Sequence, residues 1–263
     1  MILKSKFSEL DNIYKMEGFK LKVLLEKFID KYNLSEIKWL DLSWFIILPL
    51  ISVNYSISAA IAKNGVDLST WLDEKIPFVA TFIYPYIYWY IYIVIGSIFI
   101  LSKDRRKYIR TLLGIYIGMC ICYVVYYFFT VQIYRPIVVN KGLSNILVNI
   151  IYGADKPVNC FPSLHVLNTY FIMRYTKKEY GKRWYLYTQG MGILIILSTL
   201  FIKQHFIVDG IASIILVEIV MLFVNKIEDK YIDKIMLIPE NLLRKLRKKD
   251  NIKTDLVYNR KNK

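Results

Sequence analysis

The chain has 263 residues, of which 56% are hydrophobic and 16% are aromatic, and its formal net charge is +15. This composition excludes an ordinary soluble domain of similar length and indicates a membrane protein. The positive charge is typical of loops that face anionic cytoplasmic lipid, and we expect no nucleic-acid binding because no groove-reading element accompanies it. The three cysteines predict neither a disulfide framework nor a zinc site, since Cys120 and Cys122 lie in an apolar run.

The N-terminal segment, residues 1–38, lacks the apolar core and cleavage site of a secretory signal peptide. Within it Leu21, Leu24, Leu25 and Phe28 recur at helical spacing, with lysines on the other faces. This pattern predicts an amphipathic cytoplasmic helix. The helix lies either on the inner membrane leaflet or on the protein's own loops.

Six apolar stretches meet or approach the length of about twenty residues that a helix needs to cross a bilayer core. They predict an all-α bundle of six transmembrane helices, at Trp39 to Ala62, Pro77 to Leu101, Ile109 to Ile133, Pro162 to Thr176, Trp184 to Ile202 and His205 to Val224. The chain is then divided into an amphipathic segment (1–38), a membrane domain (39–224) and a basic cytoplasmic tail (225–263).

Lysine and arginine collect after the second and fourth predicted spans and in the tail, so we expect these segments to be cytoplasmic. With six spans, both termini then lie in the cytoplasm. The same topology places the loop from Tyr134 to Phe161 outside the cell membrane. The two histidines of the chain, His165 and His205, start the fourth and sixth spans and are predicted to share the extracytoplasmic face.

His205 and Asp209 are four residues apart at a helix start, which places their side chains on one face. A carboxylate that holds one imidazole nitrogen leaves the other nitrogen free to attack an electrophile. The alternative is that Asp209 only ties down the helix end, although a carboxylate in a membrane span is costly and usually functional. His165, on the same membrane face, is then available as an acid.

Positive charge is predicted to collect around these histidines. The N-terminal ends of the fourth and sixth helices converge on the outer face, where Pro162 and Ser163 mark a helix start, and helix N-termini attract phosphate. Arg135 and Lys203 add cationic groups on the same face, unless they only reach to the membrane interface. Together these residues predict phosphoryl transfer to an activated histidine.

Three short motifs carry a family resemblance: Arg-Pro at Arg135, Pro-Ser-x-His in "PSLH" ending at His165, and Ser198 and Thr199 ahead of "HFIVD". They resemble the type 2 phosphatidic acid phosphatase superfamily, which shares its phosphate site with the vanadium haloperoxidases. The motifs look most like the branch that contains the inositol phosphorylceramide and sphingomyelin synthases, which pass a phospho-headgroup to an alcohol. The resemblance covers about Trp71 to Val224.

The resemblance implies an integral-membrane hydrolase that removes phosphate from a lipid phosphomonoester or pyrophosphate on the extracytoplasmic side, without metal or cofactor. His205 would form a phosphohistidine and Asp209 would orient it. His165 would protonate the leaving oxygen and then activate the acceptor. Arg135 and Ser163 would hold phosphate oxygens.

The chain departs from the family pattern at two cationic positions. Phe128 stands where the family has Lys, and Thr199 stands where it has Arg, so Lys203 becomes the candidate to replace one lost cation. Glu218, a further carboxylate in the sixth predicted span, has no predicted role in the site.

Three other functions compete with the phosphatase. A phosphotransferase of the same fold would pass the phosphate to a lipid alcohol. A non-enzymatic transporter or scaffold would use the histidines and Asp209 to bind a proton or an ion. A metal site is the third, because two histidines and a carboxylate also suit zinc or iron.

Overall fold

The structure is a computed structural model that describes residues 39–62 and 65–246. Within these ranges the protein is a helical bundle, which confirms the predicted all-α class. The predicted amphipathic helix of residues 1–38 and the last part of the basic tail, residues 247–263, lie outside the described residues.

The bundle is built from helices of very different length. A 3-10 helix, Trp39–Ile46, leads into α1. The α-helices are α1 (Ile47–Ile61), α2 (Trp71–Lys75), α3 (Ile83–Lys103), α4 (Arg105–Phe128), α5 (Gly142–Ala154), α6 (Leu164–Tyr175), α7 (Lys182–Phe201), α8 (Ile207–Lys226) and α9 (Asp229–Met236).

Five of the described helical segments are long and apolar enough to cross a membrane: Leu40–Ile61, Ala80–Lys103, Arg105–Phe128, Lys182–Phe201 and Ile207–Lys226. The predicted fourth span is a helix of only 12 residues, α6. At 1.5 Å per residue it is about 18 Å long, well short of a bilayer core of about 30 Å. The structure therefore supports five of the six predicted spans on length and composition.

Helix α6 lies inside the bundle, where it packs against α3, α4, α7 and α8. Its side chains Leu167, Phe171 and Ile172 are fully buried. On α4, Gly114 faces Phe171 and Gly118 faces Leu167, so closely that an added Cβ would lie 2.6 Å and 2.9 Å from those side chains. Glycine at these positions lets α4 approach α6, and protein surrounds the short helix where lipid would otherwise meet its ends.

Helix α4 begins before the apolar run that marks the predicted third span. Its first residue is Arg105, directly after Asp104, whose side chain caps the helix. Arg105 pairs with the buried Asp41 at 2.7 Å, and Arg106 pairs with Asp233 of α9 at 2.8 Å. Because both arginines have acidic partners, α4 begins in a polar segment before the predicted third span. A hydropathy pattern does not include this segment.

The opposite end of the bundle is made of the connections between α1 and α3, α4 and α6, and α7 and α8. Val66 and Val131 form an isolated bridge between the first two connections. The backbone N–H of Val79 donates to the carbonyl of Phe201 at 2.9 Å, which joins the first connection to the end of α7. Both histidines of the chain lie at this end.

The close contact between Gly114 and Phe171 predicts that a larger residue at position 114 lowers the stability of the protein. Gly114→Ala should lower the free energy of unfolding by about 1–3 kcal/mol, because the new methyl group overlaps buried Phe171. Gly190→Ala is the matched control, since no described atom lies within 4 Å of its added Cβ. Thermal unfolding of the detergent-solubilised variants measures the difference, and equal midpoints would contradict the close packing of α4 on α6.

Candidate active site

His205 lies in the short connection between α7 and α8 with one ring nitrogen fixed. Its Nδ1 is 3.0 Å from the carbonyl oxygen of Cys160 and 3.2 Å from Oδ2 of Asp209. Both neighbours are acceptors, so the neutral ring keeps its proton on Nδ1 and carries its lone pair on Nε2. Asp209 is fully buried, and its Oδ2 also accepts from the backbone N–H of Phe206 at 2.9 Å.

His165 is the second residue of α6 and stands between two aromatic rings of α3. Its ring centroid is 4.4 Å from that of Tyr86 and 4.2 Å from that of Trp89. The centroids of His165 and His205 are 5.9 Å apart. The Nε2 atom of His165 is buried and has no hydrogen-bond partner among the described residues. The structure thus brings together the three predicted catalytic side chains.

Ser163 ties the start of α6 to α8. Its hydroxyl accepts from the backbone N–H of Val166 at 3.4 Å, which caps α6. Its own N–H donates to the carbonyl of Asp209 at 3.4 Å, and its carbonyl accepts from the hydroxyl of Ser213 at 2.9 Å. Ser163 is fully buried and lines neither of the two cavities described below, so its contacts position His165 and Asp209 relative to each other.

An outer cavity of about 430 Å³ has His205 in its wall, together with both predicted phosphate-binding cations. Its charged lining residues are Arg135, Lys203, Asp67, Asp73 and Glu74. The two cations lie near His205, and the three carboxylates come from the connection between α1 and α3 and from α2. Charge in this cavity is therefore mixed, with Arg135 and Lys203 as its cations.

Arg135 is held in place by several acceptors. Its Nη1 donates to the carbonyl of Asp155 at 2.6 Å, its guanidinium lies 4.7 Å from the ring centroid of Tyr152, and its Nη2 donates to Oε1 of Gln204. The Asp155 carboxylate is 3.7 Å from Nη2. These contacts fix the guanidinium beside His205 before any substrate binds.

Lys203 is anchored by backbone carbonyls. Its Nζ donates to the carbonyls of Asp73 at 2.8 Å and Ile76 at 2.6 Å. Burial lowers the pKa of Lys203, and the neighbouring Asp73 charge acts in the opposite direction. An ammonium group has three N–H donors, so one remains for a ligand in the outer cavity. The φ angle of Lys203 is 52°, an unusual value for a residue other than glycine.

The helix N-termini contribute less than the sequence predicts. At the start of α8, the N–H of Phe206 donates to Asp209, and the N–H of Ile207 donates to Oδ1 of Asp73 at 2.8 Å. At the start of α6, Ser163 accepts the N–H of Val166. Because side chains already satisfy these donors, Arg135 and Lys203 are the candidate groups in this site for holding an anion.

An inner cavity of about 360 Å³ lies on the other side of His205, within the bundle, and His165 also lines it. Its walls are rich in aromatic residues: Tyr55, Tyr86, Trp89, Tyr90, Tyr123 and Tyr126. His205 is thus shared by two cavities, one with cations at its edge and one that is mainly aromatic.

The two positions that depart from the family pattern do not lie in the cavity walls. Phe128 is 88% exposed at the end of α4. Thr199 is buried, and its carbonyl accepts the backbone N–H of His205 at 3.2 Å. Glu218 lies further along α8, where it pairs with Arg174 at 2.7 Å and accepts from the hydroxyl of Tyr170 at 2.8 Å.

Sequence reasoning missed Asp155, Gln204 and Asp73, which hold Arg135 and Lys203 in place. The one signal in the sequence that could have identified any of them is that Gln204 directly precedes His205. Asp155 and Asp73 reach the site through contacts between distant segments, for which the sequence carries no local pattern.

Three potential metal ligands, the Cys160 thiol, a His205 ring nitrogen and an Asp209 carboxylate oxygen, lie within 4.8 Å of one another. Burial raises the pKa of the Cys160 thiol, and the charge of Asp209 raises it further. A metal bound through Nδ1 of His205 would also have to displace its hydrogen bonds to Asp209 and Cys160.

Comparisons with family models, curated proteins and solved structures each found no match to this chain. The function proposed below depends on the chain's own residues and their contacts.

The contacts of His205 predict its protonation pattern. The chain has only two histidines, so selective ¹⁵N-histidine labelling gives two sets of ring signals, which His165→Gln assigns. We expect the Nδ1–H tautomer of His205 in the unchanged protein and a larger share of the Nε2–H tautomer in Asp209→Ala, because only the Cys160 carbonyl then accepts the Nδ1 proton. An Nε2–H tautomer in the unchanged protein would contradict this site geometry.

Proposed function

We propose that this protein is an integral-membrane lipid-phosphate phosphatase of the type 2 phosphatidic acid phosphatase kind. The observation that carries the proposal is the arrangement of His205: its Nδ1 is held by Asp209 and its ring borders the cavity that contains Arg135 and Lys203. An oriented imidazole beside fixed cations is suited to accept a phosphoryl group. The substrate class is a lipid phosphomonoester or pyrophosphate.

In the first step, Nε2 of His205 attacks phosphorus and the bond from phosphorus to the ester oxygen breaks. The leaving oxygen takes a proton from His165, whose ring centroid is 5.9 Å from that of His205. Arg135 and Lys203 stabilise the charge on the phosphate oxygens. Asp209 stabilises the positive charge that develops on the His205 ring.

In the second step, water hydrolyses the phosphohistidine. His165, now neutral, takes a proton from the attacking water while an oxygen–phosphorus bond forms and the nitrogen–phosphorus bond breaks. The electron pair returns to Nε2 of His205. A phosphotransferase differs only in that an alcohol replaces water, and the second cavity beside His205 favours this alternative.

We further propose six membrane crossings, made by the five long apolar helices and by the short helix α6, which is enclosed by protein. Both termini then lie in the cytoplasm, and the site lies on the extracytoplasmic side. The end of the bundle opposite the site carries the basic runs "KDRRK" and "KKEYGKR". Basic connections of this kind are retained on the cytoplasmic side. The polar contacts at both ends of α6 are made with protein groups, so its length need not match the bilayer.

The first assay is phosphate release by the purified, detergent-solubilised protein from phosphatidic acid and a polyprenyl pyrophosphate, with EDTA present. We expect release that is at least about a thousandfold lower in His205→Ala, because covalent catalysis is lost with the nucleophile. A labelled phosphoryl group should appear on His205 in single-turnover experiments. Gly190→Ala, a change on α7 with open space around it, serves as the folded control.

The same assay separates the competing functions. Activity of His205→Ala close to that of the unchanged protein would eliminate the phosphohistidine mechanism. Activity that EDTA abolishes would instead favour a metal site at Cys160, His205 and Asp209. A transporter or scaffold predicts no phosphoryl group on His205 with any donor.

The orientation has its own prediction, tested in a Cys120→Ser background. Lys141→Cys, in an exposed position before α5, should react with a membrane-impermeant maleimide in intact cells. Lys178→Cys, in the exposed turn between α6 and α7, should react only after the cells are permeabilised. The reverse labelling pattern would place the site on the cytoplasmic side.

A further inference from the structure

The chain after α9 forms a helical segment with exposed apolar side chains. This segment covers residues 238–246, and the backbone N–H of Asn241 donates to the carbonyl of Leu237 at the end of α9 at 2.9 Å. Four of its residues are large, apolar and at least 38% exposed, and we call them the apolar face: Ile238, Leu242, Leu243 and Leu246.

The apolar face lies on one side of the helical segment. At about 100° of rotation per residue, its four side chains fall within an arc of about 140°. The polar side chains of the segment fall in the opposite arc: Glu240, Asn241, Arg244 and Lys245. Arg244 pairs with Glu240 at 2.8 Å, four residues apart, which supports the helix. Apolar side chains that form one continuous face indicate an interaction surface, whereas single exposed ones do not.

Contacts of α9 keep this segment close to the membrane-crossing helices. Helix α8 ends at Lys226, and α9 begins at Asp229. The Asp229 carboxylate pairs with Arg106 at 2.8 Å and with Arg110 at 2.9 Å, and Arg110 also donates to the carbonyl of Ile227 at 2.6 Å. These contacts join α9 to the start of α4. Because α9 is only about 12 Å long, the apolar face begins near the bilayer surface where α4 starts and α8 ends.

The charge of this part of the chain is suited to an anionic surface. Five of the six residues from Arg244 to Lys249 are lysine or arginine. The one acidic residue between positions 238 and 249 is Glu240, which already pairs with Arg244. A leucine-rich face beside a face rich in lysine and arginine is typical of helices that lie in the membrane interface. Their cationic side chains are attracted to the headgroups of anionic lipids.

Charge disfavours two other occupants of the apolar face. A second copy of this chain would bring the same basic residues into contact, and like charges repel. The N-terminal segment, residues 1–38, contains more lysines than acidic residues, so it offers no net negative charge to the basic residues. An anionic lipid surface matches both the apolar face and the positive charge.

We propose that residues 238–246 lie in the membrane interface, with the apolar face among the acyl chains and the basic residues at the headgroups of anionic phospholipids. The leaflet is the one on the side where α4 begins and α8 ends. This surface lies at the opposite end of the bundle from His205, so the lipid bound there is distinct from the substrate. The proposal does not depend on the phosphohistidine chemistry.

The experiment compares two neighbouring positions in a Cys120→Ser background, in which the remaining cysteines are buried. Leu242→Cys places a label on the apolar face, and Asn241→Cys, the matched control, places it in an exposed position on the polar side. The full-length protein carries an NBD fluorophore at either cysteine. It is reconstituted into nanodiscs of phosphatidylcholine, with or without phosphatidylglycerol, that contain a lipid with a spin label on its acyl chain.

We expect quenching by the spin-labelled lipid to be at least about threefold stronger at position 242 than at position 241 in discs with phosphatidylglycerol, because an interfacial helix buries its apolar face in the acyl-chain boundary. The difference should decrease without phosphatidylglycerol and at high salt. Replacing both Arg244 and Lys245 by Gln should also decrease it. Replacing Lys177 and Lys178 by Gln, two exposed basic residues between α6 and α7, should leave it unchanged.

Three outcomes would overturn the proposal. Equal quenching at positions 241 and 242 in discs with phosphatidylglycerol would show that the apolar face does not meet lipid. Equal quenching of position 242 with and without phosphatidylglycerol would eliminate the preference for anionic lipid. Energy transfer between labelled copies, in place of quenching by lipid, would assign the face to a second copy. None of these measurements uses phosphate release, and an unchanged thermal unfolding midpoint establishes that each variant is folded.

Discussion

Close packing of a short helix inside the bundle determines where the site can form. Helix α6 is surrounded by α3, α4, α7 and α8. Glycine residues on α4 allow Phe171 and Leu167 of α6 to approach the backbone of α4. The start of α6 is tied to α8 through Ser163, which contacts both Asp209 and Ser213. This junction holds the ring of His165 at a fixed distance from that of His205. Both cavities border His205, and the inner one also borders His165.

The contacts around His205 divide the site by charge. On the outer side, Arg135 and Lys203 are fixed by carbonyl groups, so their positive charge is in place before a ligand arrives. Such preorganised charge is worth most where charge develops during the reaction. On the inner side, the walls are mainly aromatic and also include Asn159, Asn168 and Gln204. The outer side of His205 therefore carries charges of both signs, whereas the inner side is mainly aromatic with the Asp155 carboxylate in its wall.

Several elements of the fold follow from local sequence pattern, and their deviations have physical causes. The long apolar runs predict the helical segments Leu40–Ile61, Ala80–Lys103, Lys182–Phe201 and Ile207–Lys226 to within a few residues, because hydropathy and helix length are local properties. Helix α4 extends further than its apolar run, since Asp41 and Asp233 neutralise its first arginines. The fourth predicted span is a helix shorter than a bilayer-crossing one, and it packs against four neighbouring helices.

By itself, the sequence determined the helical class, five of the six apolar runs and the pairing of His205 with Asp209, because these depend on composition, periodicity and short spacings. Only the tertiary structure decided that Ser163 links two helices, that Asp155 and Gln204 hold Arg135, and that His205 separates two cavities. Each of these features joins segments far apart in the chain, among them Arg135 and Gln204. Such contacts depend on how the helices pack, and a single sequence carries no local signal for them.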